Sequence, residues 1–499
     1  MSDYDCDILI VGGGPTGVTL GLIAAKHGAS VIICEREADI YPLPRAAHVD
    51  HEVMRIFQSV GVAEAIAATS RTTSRYDFLS ADGEILLRFD GSDKIGPGGW
   101  PAANMIHQPS VELALRNRLK DFPAAELRTG WTYLGHDEHD GSVNVRFTTA
   151  DGERWLTARY LVGADGARSP VRTHAGIGLD DLGFNEPWLV IDTIVHDASR
   201  LPSINLQICD PARPTTCVLM GEGRHRWEFM LLPGETGEQV CEDGFIADLL
   251  EPWDIKEAVS LERKAVYTFN ARIAKTWCKG RVLLAGDAAH QTPPFAGQGM
   301  CAGIRDAANL GWKLAWVATG QAGAAILDSY QMEREPHARA TIDLAMMMGR
   351  TVCVTDPAVA AERNAAMIAA RAAGQTADGP VQFPPISNGL IAQDAAAAGS
   401  YFPQWVAGEA SVRQKLDDLL GSGPWLIGGN PPSEPVQAVE IINLDDPRLA
   451  PFGLRLRDWL HQHDSQSVLV RPDHAVFGAG DANLLISSWA KLLARHSPQ

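Results

Sequence analysis

The sequence predicts an α/β fold built on a Rossmann-like βαβ unit with a parallel sheet. Three observations carry that prediction. A short apolar run passes straight into a glycine cluster, two later strands end in Asp-Gly and Gly-Asp, and alternating β pattern fills much of the chain between them. At a prior of ~150 residues per domain, the length allows about three domains.

The elements follow in order. Ile8-Leu9-Ile10-Val11 is the first strand; the residues before it carry no basic region, so the start reads as a strand and not as a signal peptide. Gly12-Gly13-Gly14-Pro15-Thr16-Gly17 then fits GxGxxG, with a helix beginning near Pro15 and closed by Gly28. Gly12 permits the tight turn, Gly14 lets backbone approach a pyrophosphate, and Gly17 allows close helix–strand packing. The helix N-terminus offers unpaired N–H groups and a positive dipole end to the phosphates. Ser30 to Cys34 is the second strand, and Glu35 at its end can accept hydrogen bonds from ribose hydroxyls. This unit predicts dinucleotide binding and leaves NAD and FAD both open.

From 76 to 110 the pattern turns irregular, with DFLSADGEILLRF predicting a hairpin around Asp82-Gly83. A helix is expected at 109–122, strands at 142–163, and alternating β at 188–232 and 264–270. A second strand-to-glycine step, RVLLAGDAAH, precedes a long helix over 299–318. The segment 355–400 is Ala-rich helix broken by the loop GQTADGPVQFPPISNG, and a βαβ-like stretch covers 422–496.

Composition excludes several function classes. Lys and Arg number 43 against 61 Asp and Glu, a net charge of −18. Such a chain has no global field for nucleic acid or anionic lipid, and an anionic ligand would need a local positive field. No apolar stretch approaches the ~20 residues of a membrane span. The eight cysteines form no CxxC pair and no metal-ligand spacing with His, so a cytoplasmic, reduced protein without a metal is expected.

Two further motifs complete the pattern. Tyr160 to Arg172 (YLVGADGARSPVR) is a strand ending in Asp-Gly, and Arg281 to His290 is a strand ending in Gly-Asp. Each sets one carboxylate at the carboxyl end of a parallel strand, where ligands of such sheets sit. With GxGxxG and the following AAHQTPPFAGQG, these make the whole chain resemble the single-component flavoprotein aromatic hydroxylases, the class A FAD monooxygenases. CDPARP (209–214), RWEFMLLPGET (226–236) and YTFNARIA (267–274) resemble most the 3-(3-hydroxyphenyl)propionate hydroxylase and phenol hydroxylase branch.

The resemblance implies an FAD-binding domain from 1–75, 109–180 and 275–355, and a β-rich substrate domain from 76–108 and 181–274. It also implies a helical linker at 356–400 and a thioredoxin-like domain at 401–499. Lacking paired cysteines, that tail cannot perform dithiol chemistry, which leaves packing or a homodimer contact. Gly12, Gly14, Pro15, Thr16 and Gly17 are implied at the FAD pyrophosphate, with Glu35 and Arg36 at the adenosine end. Arg45 and Gln108 are implied at FAD, Arg45 also near the nicotinamide path. Asp165 would organise pyrophosphate and NAD(P)H contacts, and Asp287 the ribityl chain. The loop Pro293, Pro294, Gly297, Gly299 and Met300 would pass the isoalloxazine ring, with the Pro293 carbonyl facing the substrate hydroxyl. A helix starting near Gly299 would aim its positive end at the reduced flavin. Many relatives carry Asn where this chain has Cys301, and a thiol cannot replace the amide's hydrogen bonds.

The chemistry implied is hydroxylation of a small phenolic substrate, such as 3-hydroxyphenylpropionate. NADH or NADPH reduces FAD, and O2 is carried as a flavin C(4a)-hydroperoxide. A phenol titrates near ~10, so a base is needed at neutral pH. His48, Asp50 and His51 are the candidates, although the residues favour Asp50 as the cap of a helix over 51–59 with the histidines solvated. His290 reads as structural. For a carboxylated substrate, Arg213 is the first candidate clamp, with Arg226 and Arg224 on the next strand. Alternatives are a polyketide-type hydroxylase or Baeyer–Villiger monooxygenase on a multi-ring substrate, and a non-catalytic FAD-binding redox protein.

Overall fold

A computed structural model describes residues 4–139, 141–375, 383–408, 413–429 and 438–494. Part of the expected linker loop (376–382) and three stretches of the expected C-terminal domain (409–412, 430–437 and 495–499) lie outside the described residues. The strand Cys6–Val11 is central to a parallel sheet, with Val31–Glu35 on one side and Gly152–Gly163 on the other. Ala125–Thr129 and Val282–Leu284 extend the sheet outward, also in parallel. The apolar runs are continuous because both faces are covered: Ile8, Leu9 and Ile10 are fully buried. The strands Val282–Leu284, Gly152–Gly163 and Cys6–Val11 lie side by side. The Gly-Asp, Asp-Gly and glycine-rich turns therefore emerge together from one edge of the sheet, the place where such folds bind ligands.

Among the described residues the second sheet has eight strands. Leu179–Val195 and Val259–Ala274 pair antiparallel along most of their length, followed outward by Arg224–Met230, Thr215–Met220 and Asn205–Ile208. The hairpin Arg75–Leu79/Ile85–Asp90 turns at Asp82-Gly83 and joins Asn205–Ile208 in parallel. Strand alternation divides this sheet into two faces. Leu189, Ile191, Trp227 and Phe229 pack with Ile246 of the helix Asp243–Leu250, while Arg226 and Glu228 point to the opposite side. The helix Asp328–Val352 spans both sheets: Tyr330 packs in the core of the parallel sheet, and Ile342, Met346 and Met348 pack with Phe184, Trp188 and Phe295.

The C-terminal sheet runs Glu440–Asn443, Trp425–Gly428, Ser467–Val470, Val476–Gly480, the first pair parallel and the others antiparallel. The helices Gly453–Gln462 and Ala482–Leu493 pack on it through Leu456, Leu460, Leu485 and Trp489. Buried ion pairs fix it to the rest. Arg55 binds Asp417 through two bonds of 2.7 Å, and Arg471 and Lys313 both reach Glu333 at 2.7 Å. Among the described residues no helix is long and apolar enough to cross a membrane, and no cluster of His, Cys, Asp or Glu could hold a metal ion.

Candidate active site

One cavity of about 1050 Å³ runs from the edge of the parallel sheet to the open face of the second sheet. Of the residues expected at the cofactor, all but Gly17, Pro293 and Cys301 line it. Gly12 has φ +112°, and a Cβ there would meet the Ala164 carbonyl oxygen at 2.3 Å. A Cβ on Gly17 would lie 2.0 Å from the Gly12 oxygen, so Gly17 acts behind the wall by letting the helix Pro15–Lys26 close on the turn. At Gly14 a Cβ would meet nothing within 4 Å, so the opening beside this turn faces the cavity.

Gly13, at the unspecified second position of GxGxxG, also shapes the site. Its N–H donates to Glu35 Oε2 at 2.7 Å, and a Cβ would strike the Glu35 side chain at 2.8 Å. Glu35 Oε1 accepts from the Glu37 N–H at 2.9 Å, so the carboxylate is held with lone pairs to spare. Arg36 is largely exposed and pairs with Glu37. Arg116, absent from the sequence reading, lines the cavity and donates to the Gly13 carbonyl at 3.0 Å, bringing positive charge to the glycine turn.

The surroundings fit FAD. Two helix N-termini, at Gly14 and at Gln298, open on this cavity, and neither has a side-chain cap. Their free N–H groups suit a pyrophosphate and an electron-rich ring. Asp287 opens into the cavity with protein around it, and that burial raises its carboxyl above the usual range. Burial likewise raises Asp165, whose Oδ2 accepts from the Val171 N–H at 3.0 Å while Oδ1 is buried and unpartnered. Gln108 holds the Ala46 N–H at 2.7 Å, and the Arg45 guanidinium lies 4.9 Å over the Tyr41 ring.

The three base candidates separate clearly. Asp50 caps the helix His51–Ser59: its Oδ1 accepts from the Glu52 and Val53 N–H groups, both at 3.0 Å. Its Oδ2 binds Arg305 at 2.6 Å. Burial alone would raise this carboxyl, but the Arg305 charge holds it well below the carboxylate range. Asp50 is thus a paired cap, with its lone pairs spent. His51 Nδ1 accepts from the Gly98 N–H at 3.1 Å. His48 Nδ1 lies 3.2 Å from the Gly297 carbonyl oxygen, which can only accept; the proton sits on Nδ1 and Nε2 keeps its lone pair. Burial lowers the pKa of both rings, so both are neutral at neutral pH.

Other expectations need correction. Cys301 is fully buried off the cavity wall, its thiol 3.7 Å from the His48 and Gly297 carbonyl oxygens. It braces the two segments that hold His48, because it sits on the inward side of the helix Gly299–Ala318. Pro293 is buried outside the lining, in extended backbone before the turn Pro294–Ala296, and Pro294 takes the wall position. His290 is the structural residue expected, 2.6 Å from Asp306.

Each of the three candidate clamps is bound to a carboxylate. Arg213 lies outside the lining, in a bidentate pair with Glu235 at 2.6 and 2.7 Å. Arg224 likewise binds Glu262 at 2.8 Å. Arg226 does line the cavity, but each of its three nitrogens already donates, to Asp192 (2.6 Å) and to the carbonyls of Arg45 (2.7 Å) and Pro44 (2.9 Å). Glu228, Thr216 and Tyr76 line the same end and were passed over. Two-residue alternation places Arg226 and Glu228 on one face, a signal present in RHRWEFM; that this face meets the cavity is decided by packing.

Comparison with known proteins agrees with this geometry. The family model described as FAD binding domain matches residues 5–345. A Rhodococcus jostii (strain RHA1) protein named a probable NADH-specific resorcinol 4-hydroxylase is 39% identical, covering 99% of this chain and 95% of its own. A 3-(3-hydroxy-phenyl)propionate/3-hydroxycinnamic acid hydroxylase of Mycobacterium sp. (strain JLS) is 34% identical, covering 96% and 89%. Among solved structures, aklavinone-11 hydroxylase with FAD and aklavinone is 25% identical, with a TM-score of 0.77 over 99% of this chain and 100% of that one. The flavin-dependent monooxygenase PieE shares the fold, with a TM-score of 0.81 at 24% identity over 99% and 100%.

Proposed function

The chain belongs to the FAD-binding-domain family, among the FAD-dependent aromatic hydroxylases, and from that premise we propose that it hydroxylates a small phenol using NADH and O2. The observation that carries this reading is a single cavity joining two uncapped helix N-termini to a polar and aromatic sheet face. FAD, when bound, supplies the electron transfer and the activation of O2.

The chain's own residues do the rest. The N-terminus at Gly14 and the Arg116 guanidinium offset phosphate charge, and Gly297, at φ +64°, lets backbone close on a flat ring. Phe269, Phe295 and Met348 form an apolar wall that excludes water from the reacting centre. The Phe269 and Phe295 rings meet edge to face at 6.0 Å, with Trp188 packed behind them. His48 Nε2 is the atom available to take the phenolic proton, held in place by the Nδ1–H bond to Gly297.

The test is NADH consumption and product mass for the FAD-loaded protein across phenols and polycyclic quinones. Phenol-stimulated oxidation with a ring-hydroxylated product is expected. NADH oxidation that no phenol stimulates would overturn the reading, as would turnover confined to the quinones.

A further inference from the structure

The open face of the second sheet holds an arrangement that specifies its ligand. Glu228 stands opposite Thr216 on one neighbouring strand and Val190 on the other, and Thr216 stands opposite Gln207 on the next. Gln207 is fixed: its Nε2 donates to the Thr215 carbonyl at 3.0 Å. Its Oε1 therefore faces the Thr216 and Tyr76 hydroxyls, and it accepts a hydrogen bond from each, at 2.8 and 3.0 Å. Both hydroxyl hydrogens are used, which leaves the Thr216 and Tyr76 oxygens as acceptors.

Glu228 adds a stronger acceptor. Its side chain is 9% exposed, and no hydrogen bond from the described residues reaches its carboxylate. The nearest cation, Arg226 Nη1, is 3.6 Å away and already donates to the Arg45 carbonyl. Arg263 is the other cation at this end. Its Nη1 is spent on Asp192 and Pro44, and its Nη2 is buried without a hydrogen-bond partner, the guanidinium lying 5.0 Å over the Tyr267 ring. A buried carboxylate without a donor is costly, so a ligand that brings the donor gains the difference.

Resting on the reading above, we propose that Glu228 accepts a hydrogen bond from a second ring hydroxyl, so that the substrate is an uncharged dihydroxybenzene and not an aryl carboxylate. A ring hydroxyl can donate to Glu228. A carboxylate tail can only accept, and here it would meet acceptors, a like charge, and guanidinium groups already bound to Asp192. The Arg–carboxylate clamp expected from the sequence is thus replaced by its electrostatic opposite.

Resorcinol, phenol and 3-(3-hydroxyphenyl)propionate serve as probes on the FAD-loaded protein. Binding is read from the flavin absorbance, and kcat and KM from product formation. The wild type should bind resorcinol at least about tenfold more tightly than either of the others. Glu228→Gln should raise the resorcinol KM about tenfold and shrink the resorcinol-to-phenol ratio of kcat/KM by a similar factor, with FAD content retained. A wild type that prefers the propionate overturns the proposal, even if the variant fails to fold. So does a variant that loses resorcinol and phenol turnover in parallel. Absence of turnover with every phenol would instead overturn the parent reading.

Discussion

The two ends of the cavity recognise what they hold by different means. At the parallel-sheet edge the contacts are backbone: two helix N-termini without side-chain caps, and glycines where no Cβ fits. At the second sheet the contacts are side chains, with Glu228, Thr216 and Tyr76 chosen by strand alternation and register. Backbone recognition demands particular residues at fixed spacing and so leaves a motif. Side-chain recognition demands only that the right strand faces the right way, and leaves none.

Substitutions can break or sharpen that contrast. The largest effect is expected of Gly12→Val, where positive φ and the 2.3 Å approach to the Ala164 carbonyl leave no room. The variant should be recovered without FAD, if it is soluble at all, as flavin absorbance will show. Asp50→Ala removes a cap and one partner of a buried ion pair, a loss of about 3–5 kcal/mol in comparable pairs. Glu52, still 2.6 Å from Arg305, favours the lower end of that range in denaturant unfolding. A variant that folds should keep measurable hydroxylation, because both oxygens of Asp50 are taken, one by backbone N–H groups and one by Arg305.

Lowering the pH tests the closed face of the second sheet. Burial pushes His225 down to about 3, far below its free value near 6.5. The unfolded chain therefore binds the proton more readily. The stability that His225 contributes is complete above the unfolded pKa and is lost progressively as pH falls toward 3. Between pH 7 and pH 5 this amounts to on the order of 2 kcal/mol, measurable as a falling urea midpoint that His225→Leu should flatten.

Gly14→Ala is the sharper counterpart of Gly12→Val. Its Cβ has free space and its backbone is extended, so stability should change by less than about 1 kcal/mol. FAD affinity should nonetheless fall about tenfold, because the methyl group occupies the space at the helix N-terminus. Smallest of all is Arg213→Met. A partly exposed pair with Glu235 contributes about 1 kcal/mol or less, and KM for every phenol should stay within about twofold. A steep rise for carboxylated phenols alone would restore the clamp and count against Glu228.

The amino-acid sequence determined the architecture and the cofactor end. The apolar run into GGGPTG, the Asp-Gly and Gly-Asp strand ends, the hairpin at Asp82-Gly83 and the helix over 299–318 all depend on local periodicity and on glycine's freedom, which are written residue by residue. Asp50 was legible both as a cap and as a base; its bonds to the Glu52 and Val53 N–H groups make it the cap, and Arg305, 255 positions away, takes its other oxygen at 2.6 Å. The substrate end belongs to the tertiary structure. Arg213, Arg224 and Arg226 look alike in a chain of letters, but Glu235, Glu262 and Asp192 claim them once the strands pair. Glu228 remains without a donor for the same reason. Which charge is neutralised and which is left open depends on distances that do not exist until the sheet closes over the cavity.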